Sequence, residues 1–320
     1  MKVIIPMAGR GTRLRPHTLN LPKPLMNIAG KSMIEWIVEE IKHSSKSPVD
    51  EIHFIIGNFG KEVEEKLIAT AANIGCKGYI HYQYEALGTA HALYCARTAL
   101  SGEVFVVYAD TLFKGKIETD PKADGIIWTM RVENPEKYGV VETDSENFIT
   151  NFVEKPKKFV SNNAIVGLYF FKEASHLQFE IDDLIKNNAR ENNEFQLTNC
   201  LETLKQKGSK IKCAELVEWL DCGNREELLA TNKRMLELTY PTQSNFIAHD
   251  AKVSNSTIKS GVSIESGAII ENSILENTIV YSGAVIRNSE LSNSILGNFS
   301  KVNGLRGKIY LGDYSEYEKI

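Results

Sequence analysis

The stretch MAGRGTRLRPHTLNLPKPL, residues 7–25, carries Arg10, Arg13, Arg15 and Lys23 and no acid. From Met1 to Ile34 every charged side chain is cationic, and the first carboxylate is Glu35. Glycines at 9 and 11 let a backbone turn approach an anion closely, and Pro16, Pro22 and Pro24 stiffen the return. Successive amides in such a turn, with long cations around them, favour triphosphate. The dinucleotide fingerprint GxGxxG is not met, because Leu14 stands where the third glycine belongs. A P-loop ending in Gly30-Lys31-Ser32 is not met either, since Leu25 takes the place of its first glycine. Taken alone, the loop could also be a surface turn with solvated arginines. Three further positions could do chemistry. Asp110 follows an apolar strand and Asp221 comes just before Gly223 and a predicted helix; both offer hard carboxylate oxygens of the kind that hold Mg²⁺, or else a turn or a helix cap. Gln83 offers an acceptor and donors to a nucleobase edge, against the alternative of an ordinary strand-end glutamine.

These residues need elements to hold them. Val3–Ile5, Ile52–Ile56, Tyr79–Tyr84 and Val104–Tyr108 read as apolar strands, alternating with helical patterns at Met33–Lys42, Lys61–Ala72 and Thr89–Ala99. That βαβαβ alternation predicts a Rossmann-like α/β fold, a mixed but mainly parallel sheet with helices on both faces. Ligands in such sheets bind beyond the carboxyl ends of the strands, where the loop after Ile5 and the loop near Asp110 both lie. Strands at Ile126–Arg131, Gly139–Glu142 and Val166–Phe171 follow less regularly, as an antiparallel insertion would. A helix over Arg225–Leu238 then runs into Thr239-Tyr240-Pro241-Thr242, a domain boundary.

Beyond Asn245 the pattern changes. Aliphatic residues fall at Ile258, Ile264, Ile270, Leu275, Val280, Ile286, Leu291, Leu296 and Val302, separated by Gly, Ser and Asn. Steps of five or six residues do not suit a helix. They suit a parallel β-helix, each aliphatic stacking on the coil below. Two domains are therefore expected, 1–240 and 245–320.

Composition removes several classes. The 320 residues carry a net charge of −4 with charges evenly scattered, which argues against a nucleic-acid binder. MKVIIPMAG is too short an apolar run for a signal peptide and no stretch approaches a membrane span, so no membrane partner is expected. Five cysteines without metal-ligand spacing fit a reducing, cytoplasmic setting. His17, His91 and His249 stand alone, without ligand partners in sequence.

The run Gly11-Thr12-Arg13-Leu14-Arg15-Pro16, with Thr18 and Pro22-Lys23-Pro24-Leu25, resembles the signature of the sugar-1-phosphate nucleotidylyltransferases, or nucleotide-sugar pyrophosphorylases. More of that family's pattern follows in order: Gln83 with Leu87-Gly88-Thr89-Ala90, Ala109-Asp110, Tyr138-Gly139-Val140-Val141, Val153-Glu154-Lys155-Pro156, Ala164 to Phe170, and Trp219-Leu220-Asp221-Cys222-Gly223. The likeness spans about the first 240 residues. The C-terminal repeats resemble the left-handed β-helix that several members append. Ala8-Gly9 stands where the family commonly has two glycines, and Ala109 and Thr111 flank Asp110 where Gly and Asn or a second acid are frequent.

The resemblance implies roles. A nucleoside triphosphate and a sugar-1-phosphate are the substrates, and Mg²⁺ is the cofactor, with Asp110 and Asp221 as its ligands. Arg13 sits on the leaving phosphates and Lys23 near the α-phosphate. Ala8, Gly9, Gly11, Thr12, Gln83 and Gly88 bind the nucleotide, while Gly139, Glu154, Lys155 and Ile165 take the sugar phosphate. In that reaction a sugar-phosphate oxygen attacks the α-phosphorus and pyrophosphate leaves. A phosphate monoester with a second pKa near ~6 is already mostly ionised at neutral pH, so no general base is required. The site must align two anions and neutralise the charge that shifts to the leaving group, which answers to a loop of arginines and lysines. Glucose-1-phosphate with dTTP or UTP is the expected pair. The same chemistry on mannose-1-phosphate with GTP, and a non-catalytic regulatory subunit of this fold, are the alternatives. The β-helix is expected to extend the core and supply a contact in a homo-oligomer.

Overall fold

The structure is a computed structural model and describes residues 1–319; Ile320, the last residue of the expected second domain, lies outside the described residues. By contact the chain gathers into two compact units. One comprises Met1–Gly9 and Ile37–Trp219, the other Arg10–Trp36 and the chain from Leu220 onward. No helix of the described residues is long and apolar enough to cross a membrane.

The first unit is built on nine strands: β1 (Lys2–Pro6), β2 (Glu51–Ile56), β3 (Lys77–Tyr82), β4 (Val104–Val107), β5 (Gly125–Arg131), β6 (Gly139–Thr143), β7 (Ile149–Glu154), β8 (Asn163–Phe171) and β9 (Ile211–Glu215). They lie in the order β7-β6-β8-β4-β1-β2-β3, with β5 also paired to β8 and β9 to β5. The run β4-β1-β2-β3 is parallel, with Ile4 level with Val106 and His53. Strands β5 to β8 pair antiparallel, as the irregular second half of the alternation predicts. The reason for the parallel part is visible in the residues: Val3–Ile5 of β1 and the Val-Phe-Val-Val run of β4 are apolar and buried on both faces, which suits a sheet covered by helices on each side. Helices α1 (Met33–Ser44), α2 (Lys61–Asn73), α3 (Thr89–Cys95), α4 (Ser175–Lys186) and α5 (Leu197–Gln206) accompany the sheet. One core cluster joins Ile4, Val106 and Ile127 of the sheet to Leu93 of α3, Leu177 of α4 and Leu201 of α5.

Several boundaries differ from expectation, among them Asn163 rather than Val166 at the start of β8. Strand β3 ends at Tyr82 rather than Tyr84. The Gln83 amide still donates to the Ile56 carbonyl, but its side chain turns inward and the ladder stops. Helix α3 ends at Cys95 and is followed by a single 3₁₀ turn, Arg97–Ala99, because Ala96 leaves helical geometry.

The second unit holds the cationic loop, helix α6 (Arg225–Thr239) and a parallel β-helix. Helix α6 opens with a capping box in which Asn224 and Glu227 satisfy each other's backbone amides. In the β-helix every third aliphatic of the repeat stacks in one column. Ile264 lies beside Val280 and Val280 beside Leu296; Ile270 beside Ile286 and Ile286 beside Val302; Ile258 beside Leu275 and Leu275 beside Leu291. One coil thus takes about sixteen residues, three of the five- or six-residue steps. Apart from the partly buried Ile258, these columns are buried and form a second core. Corners between steps use Asn272, Asn277, Asn288 and Asn293 in the left-handed region, where asparagine is tolerated better than other non-glycine residues. Asn277 donates to Asn293, and Asn272 to Asn288, along the coil axis.

Candidate active site

In the first unit the expected residues gather at the carboxyl ends of the parallel strands. Ala8 and Gly9 follow β1, Gln83 follows β3 and Asp110 follows β4. Met7 donates to the Ile55 carbonyl, and the Ala8 carbonyl comes within 3.5 Å of where a side chain at Gly57 would begin. Gly9 has open space around its Cα, so nothing in the unit demands glycine there except room for a ligand or backbone freedom.

Gln83 is buried and its amide nitrogen is engaged twice, to the Gly88 carbonyl at 3.1 Å and to His91 Nδ1 at 3.1 Å. Gly88 can only accept, so the nitrogen must face it. The carbonyl oxygen Oε1 is then what Gln83 has left to offer. Burial holds His91 below the usual imidazole range, with Arg190 adding to this and Glu85 opposing; a neutral ring can accept through Nδ1. His91 is therefore the second anchor of Gln83. Gly88, with φ at 107°, is glycine for a packing reason: a Cβ would come within 2.6 Å of the Phe195 carbonyl oxygen.

The expected sugar-phosphate residues form one cluster. A Cβ on Gly139 would lie 2.9 Å from Glu154 Oε2 and 3.4 Å from Ile165 Cδ1. Glu154 Oε2 accepts from Thr198 Oγ1 at 3.0 Å, and Glu154 Oε1 lies 3.5 Å from the exposed Lys155 ammonium. Lys155 has φ at 42°, an uncommon conformation for a lysine, and its amide donates to the Tyr138 carbonyl at 3.1 Å. Strained backbone of this kind concentrates where side chains must be aimed.

Two bridges connect this cluster to the Gln83 turn. Leu197, at the start of α5, donates its amide to Thr89 Oγ1 at 2.9 Å, and its neighbour Thr198 holds Glu154. Tyr108 hydrogen-bonds both Tyr169 and Thr89; burial pushes its hydroxyl up to about 12, and Glu154 and Asp110 push in the same direction. Gly167, with φ at 84°, leaves the room the Tyr108 ring fills. Thr198, Tyr108 and His91 carry no motif of their own, and Thr89, though it lies in the Leu87-Gly88-Thr89-Ala90 motif, takes no role from it. Thr198, Tyr108 and Thr89 become visible only when α5, β4 and the Gly88 turn are brought together.

In the second unit Gly11 adopts a left-handed conformation, φ 57° and ψ 34°, just before the 3₁₀ turn Thr12–Leu14. A Cβ there would meet Lys23 Cβ at 3.1 Å and Thr18 Cγ2 at 3.2 Å, so the glycine lets the two limbs of the loop close. Thr18 Oγ1 donates to the Gly11 carbonyl at 2.7 Å and locks the closure. Lys23 is 7% exposed although it is a lysine, in the 3₁₀ turn Lys23–Leu25. Arg13 is exposed and makes no hydrogen bond or ion pair among the described residues. Asp221 Oδ1 accepts the Gly223 amide at 2.8 Å, and the Asp221 carbonyl accepts from Thr231 on α6. The turn reading of Asp221 is thus realised.

Among the described residues no group of three or more His, Cys, Asp or Glu is placed to hold a metal unaided. Mg²⁺ does not need such a group, being ordinarily held by one or two carboxylates, with phosphate and water completing its shell.

A family model described as nucleotidyl transferase matches residues 2–237. A bifunctional protein GlmU of Methanococcus maripaludis is 33% identical over 275 residues, covering 85% of this chain and 62% of its own length. The chain therefore spans about three-fifths of that relative. A glucose-1-phosphate thymidylyltransferase of Streptomyces antibioticus is 29% identical over 297 residues, with 86% of this chain and 81% of that protein covered. Among solved structures, a UDP-glucose pyrophosphorylase complexed with UDP-glucose superposes with a TM-score of 0.61 at 22% identity, over 74% of this chain and 98% of that one.

Proposed function

Because the chain belongs to the nucleotidyl transferase family, we propose that it transfers a nucleotidyl group from a nucleoside triphosphate to a sugar-1-phosphate, releasing pyrophosphate. Glucose-1-phosphate with dTTP or UTP is the pair this reading favours. The observation that carries it is the cationic loop: an exposed Arg13 without a partner among the described residues, on a turn closed by Gly11, Thr18 and a buried Lys23. A cation held without an internal acid is available to an anionic ligand.

In the proposed reaction one oxygen of the sugar phosphate attacks the α-phosphorus, and the bond to the β-phosphate oxygen breaks with its electron pair. Arg13 neutralises the departing pyrophosphate and Lys23 the α-phosphate, while amides from Ala8 to Thr12 bind the remaining oxygens. Glu154 accepts from sugar hydroxyls, oriented by Thr198, and Lys155 binds the sugar phosphate. Gly139 and Ile165 leave and line the space beside that carboxylate. Asp110 and Asp221 are the residues we assign to Mg²⁺, which when bound supplies further charge neutralisation on the phosphates.

The orientation of Gln83 supports the choice of base. With its amide hydrogens directed to Gly88 and His91, it presents an acceptor suited to the N3–H of uracil or thymine. Guanine offers a comparable N1–H, which keeps guanylyl transfer to mannose-1-phosphate as the second reading. Residues 1–240 serve as the catalytic domain in this proposal, supported by the family match over 2–237. Five cysteines, none of them in a disulfide among the described residues, support its cytoplasmic setting. The proposal also takes the protein to be a homo-oligomer.

The test is pyrophosphate release with Mg²⁺ across dTTP, UTP, GTP, CTP and ATP against glucose-, mannose-, galactose- and N-acetylglucosamine-1-phosphate. Activity with glucose-1-phosphate and dTTP or UTP, lost in Asp110→Asn, is expected. A folded, nucleotide-binding protein without turnover in any pair would instead make the chain a non-catalytic subunit.

A further inference from the structure

The cationic loop is seated, at both ends, on residues more than two hundred positions later in the chain. At its entry Arg225 Nη2 donates to the Arg15 carbonyl at 2.6 Å, with the Arg225 guanidinium 4.8 Å from the centre of the Tyr310 ring. Pro16 packs on Gly312 so closely that a Cβ at 312 would lie 3.0 Å from Pro16 Cβ. At its exit Asn27 Nδ2 donates to Glu265 Oε2 at 3.0 Å, and the Tyr281 hydroxyl donates to the Asn27 carbonyl at 3.2 Å. The Ala29 amide donates to Asn232 Oδ1 at 2.9 Å. Asn232 is fully buried and ties in turn to Ser263 Oγ and the Gly261 carbonyl of the β-helix. The Phe246 ring covers Gly30.

Around these anchors the loop has little structure of its own: two 3₁₀ turns of three residues each, Thr12–Leu14 just before Arg15 and Lys23–Leu25 just before Asn27. Turns that short do not persist in water without tertiary support. Charge on Arg13 and Lys23 assists a transfer only if both cations are held where the phosphates arrive.

We propose that the β-helix and the start of α6 position the phosphate-binding loop, with Glu265, Tyr281 and Arg225 as positioning residues for Arg13 and Lys23. This rests on the nucleotidyl-transfer reading for what the loop binds, not for how it is held. The β-helix is on this account part of the working site within one chain. Substitutions far from any phosphate contact then act on the triphosphate side of the reaction.

The experiment uses the full chain carrying Glu265→Ala with Tyr281→Phe, alongside Glu265→Gln alone and Tyr314→Ala, an exposed corner residue of the β-helix that stacks on Phe299. Hydrogen exchange of amides 12–27 and steady-state pyrophosphate release from UTP and glucose-1-phosphate are measured. Loss of two anchoring hydrogen bonds, one to a carboxylate, is expected to speed loop exchange and raise KM for UTP by about tenfold. KM for glucose-1-phosphate stays within about twofold, and Glu265→Gln and Tyr314→Ala match the parent protein. The glutamine oxygen still accepts from Asn27. Loop exchange and UTP KM unchanged in the double variant would overturn the proposal, as would an equal rise for both substrates. Should the double variant fail to fold, Tyr281→Phe, which removes one hydroxyl, is read by the same criteria. If the parent protein turns over no substrate pair, the functional reading fails, and the exchange comparison alone still decides whether the β-helix seats the loop.

Discussion

Replacing Gly139 by alanine adds one methyl group at the wall of the proposed sugar-phosphate cluster. Its carbon would sit 2.9 Å from Glu154 Oε2, where carbon–oxygen contacts normally begin near ~3.3 Å. Glu154 cannot simply swing away, because Thr198 Oγ1 holds that same oxygen at 3.0 Å and Ile165 Cδ1 stands 3.4 Å from the new carbon. The carboxylate must shift by a few tenths of an ångström and give up part of its bond to Thr198, or of its bonds to sugar hydroxyls. A hydrogen bond involving a charged group contributes about 1.5–3 kcal/mol, and each 1.4 kcal/mol is about tenfold in affinity, so KM for the sugar phosphate rises by roughly 10- to 100-fold. Folding stays intact: Gly139 is not in the left-handed region, and replacing such a glycine by alanine stabilises by about 0.4–1 kcal/mol through the unfolded chain. The assay is initial-rate pyrophosphate release with sugar-1-phosphate varied at saturating triphosphate, together with the thermal midpoint. Unchanged KM for the sugar phosphate, or a rise confined to the triphosphate, would refute the placement of Glu154 at the sugar.

Gln83→Glu sets a carboxylate oxygen against the Gly88 carbonyl, where the amide nitrogen now donates at 3.1 Å, and raises KM for the triphosphate by about tenfold or more while leaving the sugar-phosphate KM in place; substrate titrations of both decide it. Arg13→Met removes an exposed cation with no partner among the described residues, so the thermal midpoint holds while kcat/KM falls on the order of 10²-fold or more; a loss under about threefold would remove Arg13 from the reaction. His17 is buried with neither ring nitrogen hydrogen-bonded, and burial lowers it from 6.5 to about 4, Asp313 opposing and Arg225 adding. The unfolded chain takes up the proton first, so the stability tied to the neutral ring is complete above pH 6.5 and is lost as pH falls from 6.5 towards 4, about 2 kcal/mol of it between pH 7 and pH 5. His17→Leu abolishes that component, and urea midpoints at the two pH values should converge in the variant; an identical pH drop in both proteins would count against it.

Much of the site was legible before any coordinates. A stretch of thirty-four residues without an acid, a glycine at position 11 and a lysine at 23 are local facts, and the structure finds Gly11 where the loop must close on Lys23. Gly139, Glu154 and Ile165, named from separate motifs, converge within one cluster. His91 has no ligand partner in sequence; its hydrogen-bond partner Gln83 lies in the preceding loop, and only the fold turns that side chain toward it. Gly88, named in the sequence for nucleotide binding, also has a packing reason to be glycine, the Phe195 backbone beside it. Thr198 left no trace in sequence because a threonine at the start of an amphipathic helix is an ordinary residue.

What the sequence determined by itself was whatever depends on near neighbours: apolar runs that demand a covered parallel sheet, five- and six-residue aliphatic steps that close into coils, and a concentration of positive charge that needs an anion. Periodicity and net charge are sums over short windows, so they can be read along the chain. The tertiary structure alone decided which carbonyl Gln83 faces, which hydroxyl steadies Glu154, and that Arg15 and Asn27 rest on Arg225, Glu265 and Tyr281. Each is a single directional hydrogen bond between segments up to 254 positions apart, and no local pattern of residues specifies such a meeting. It arises when the cores of the sheet and the β-helix close and leave those polar groups with one another as partners.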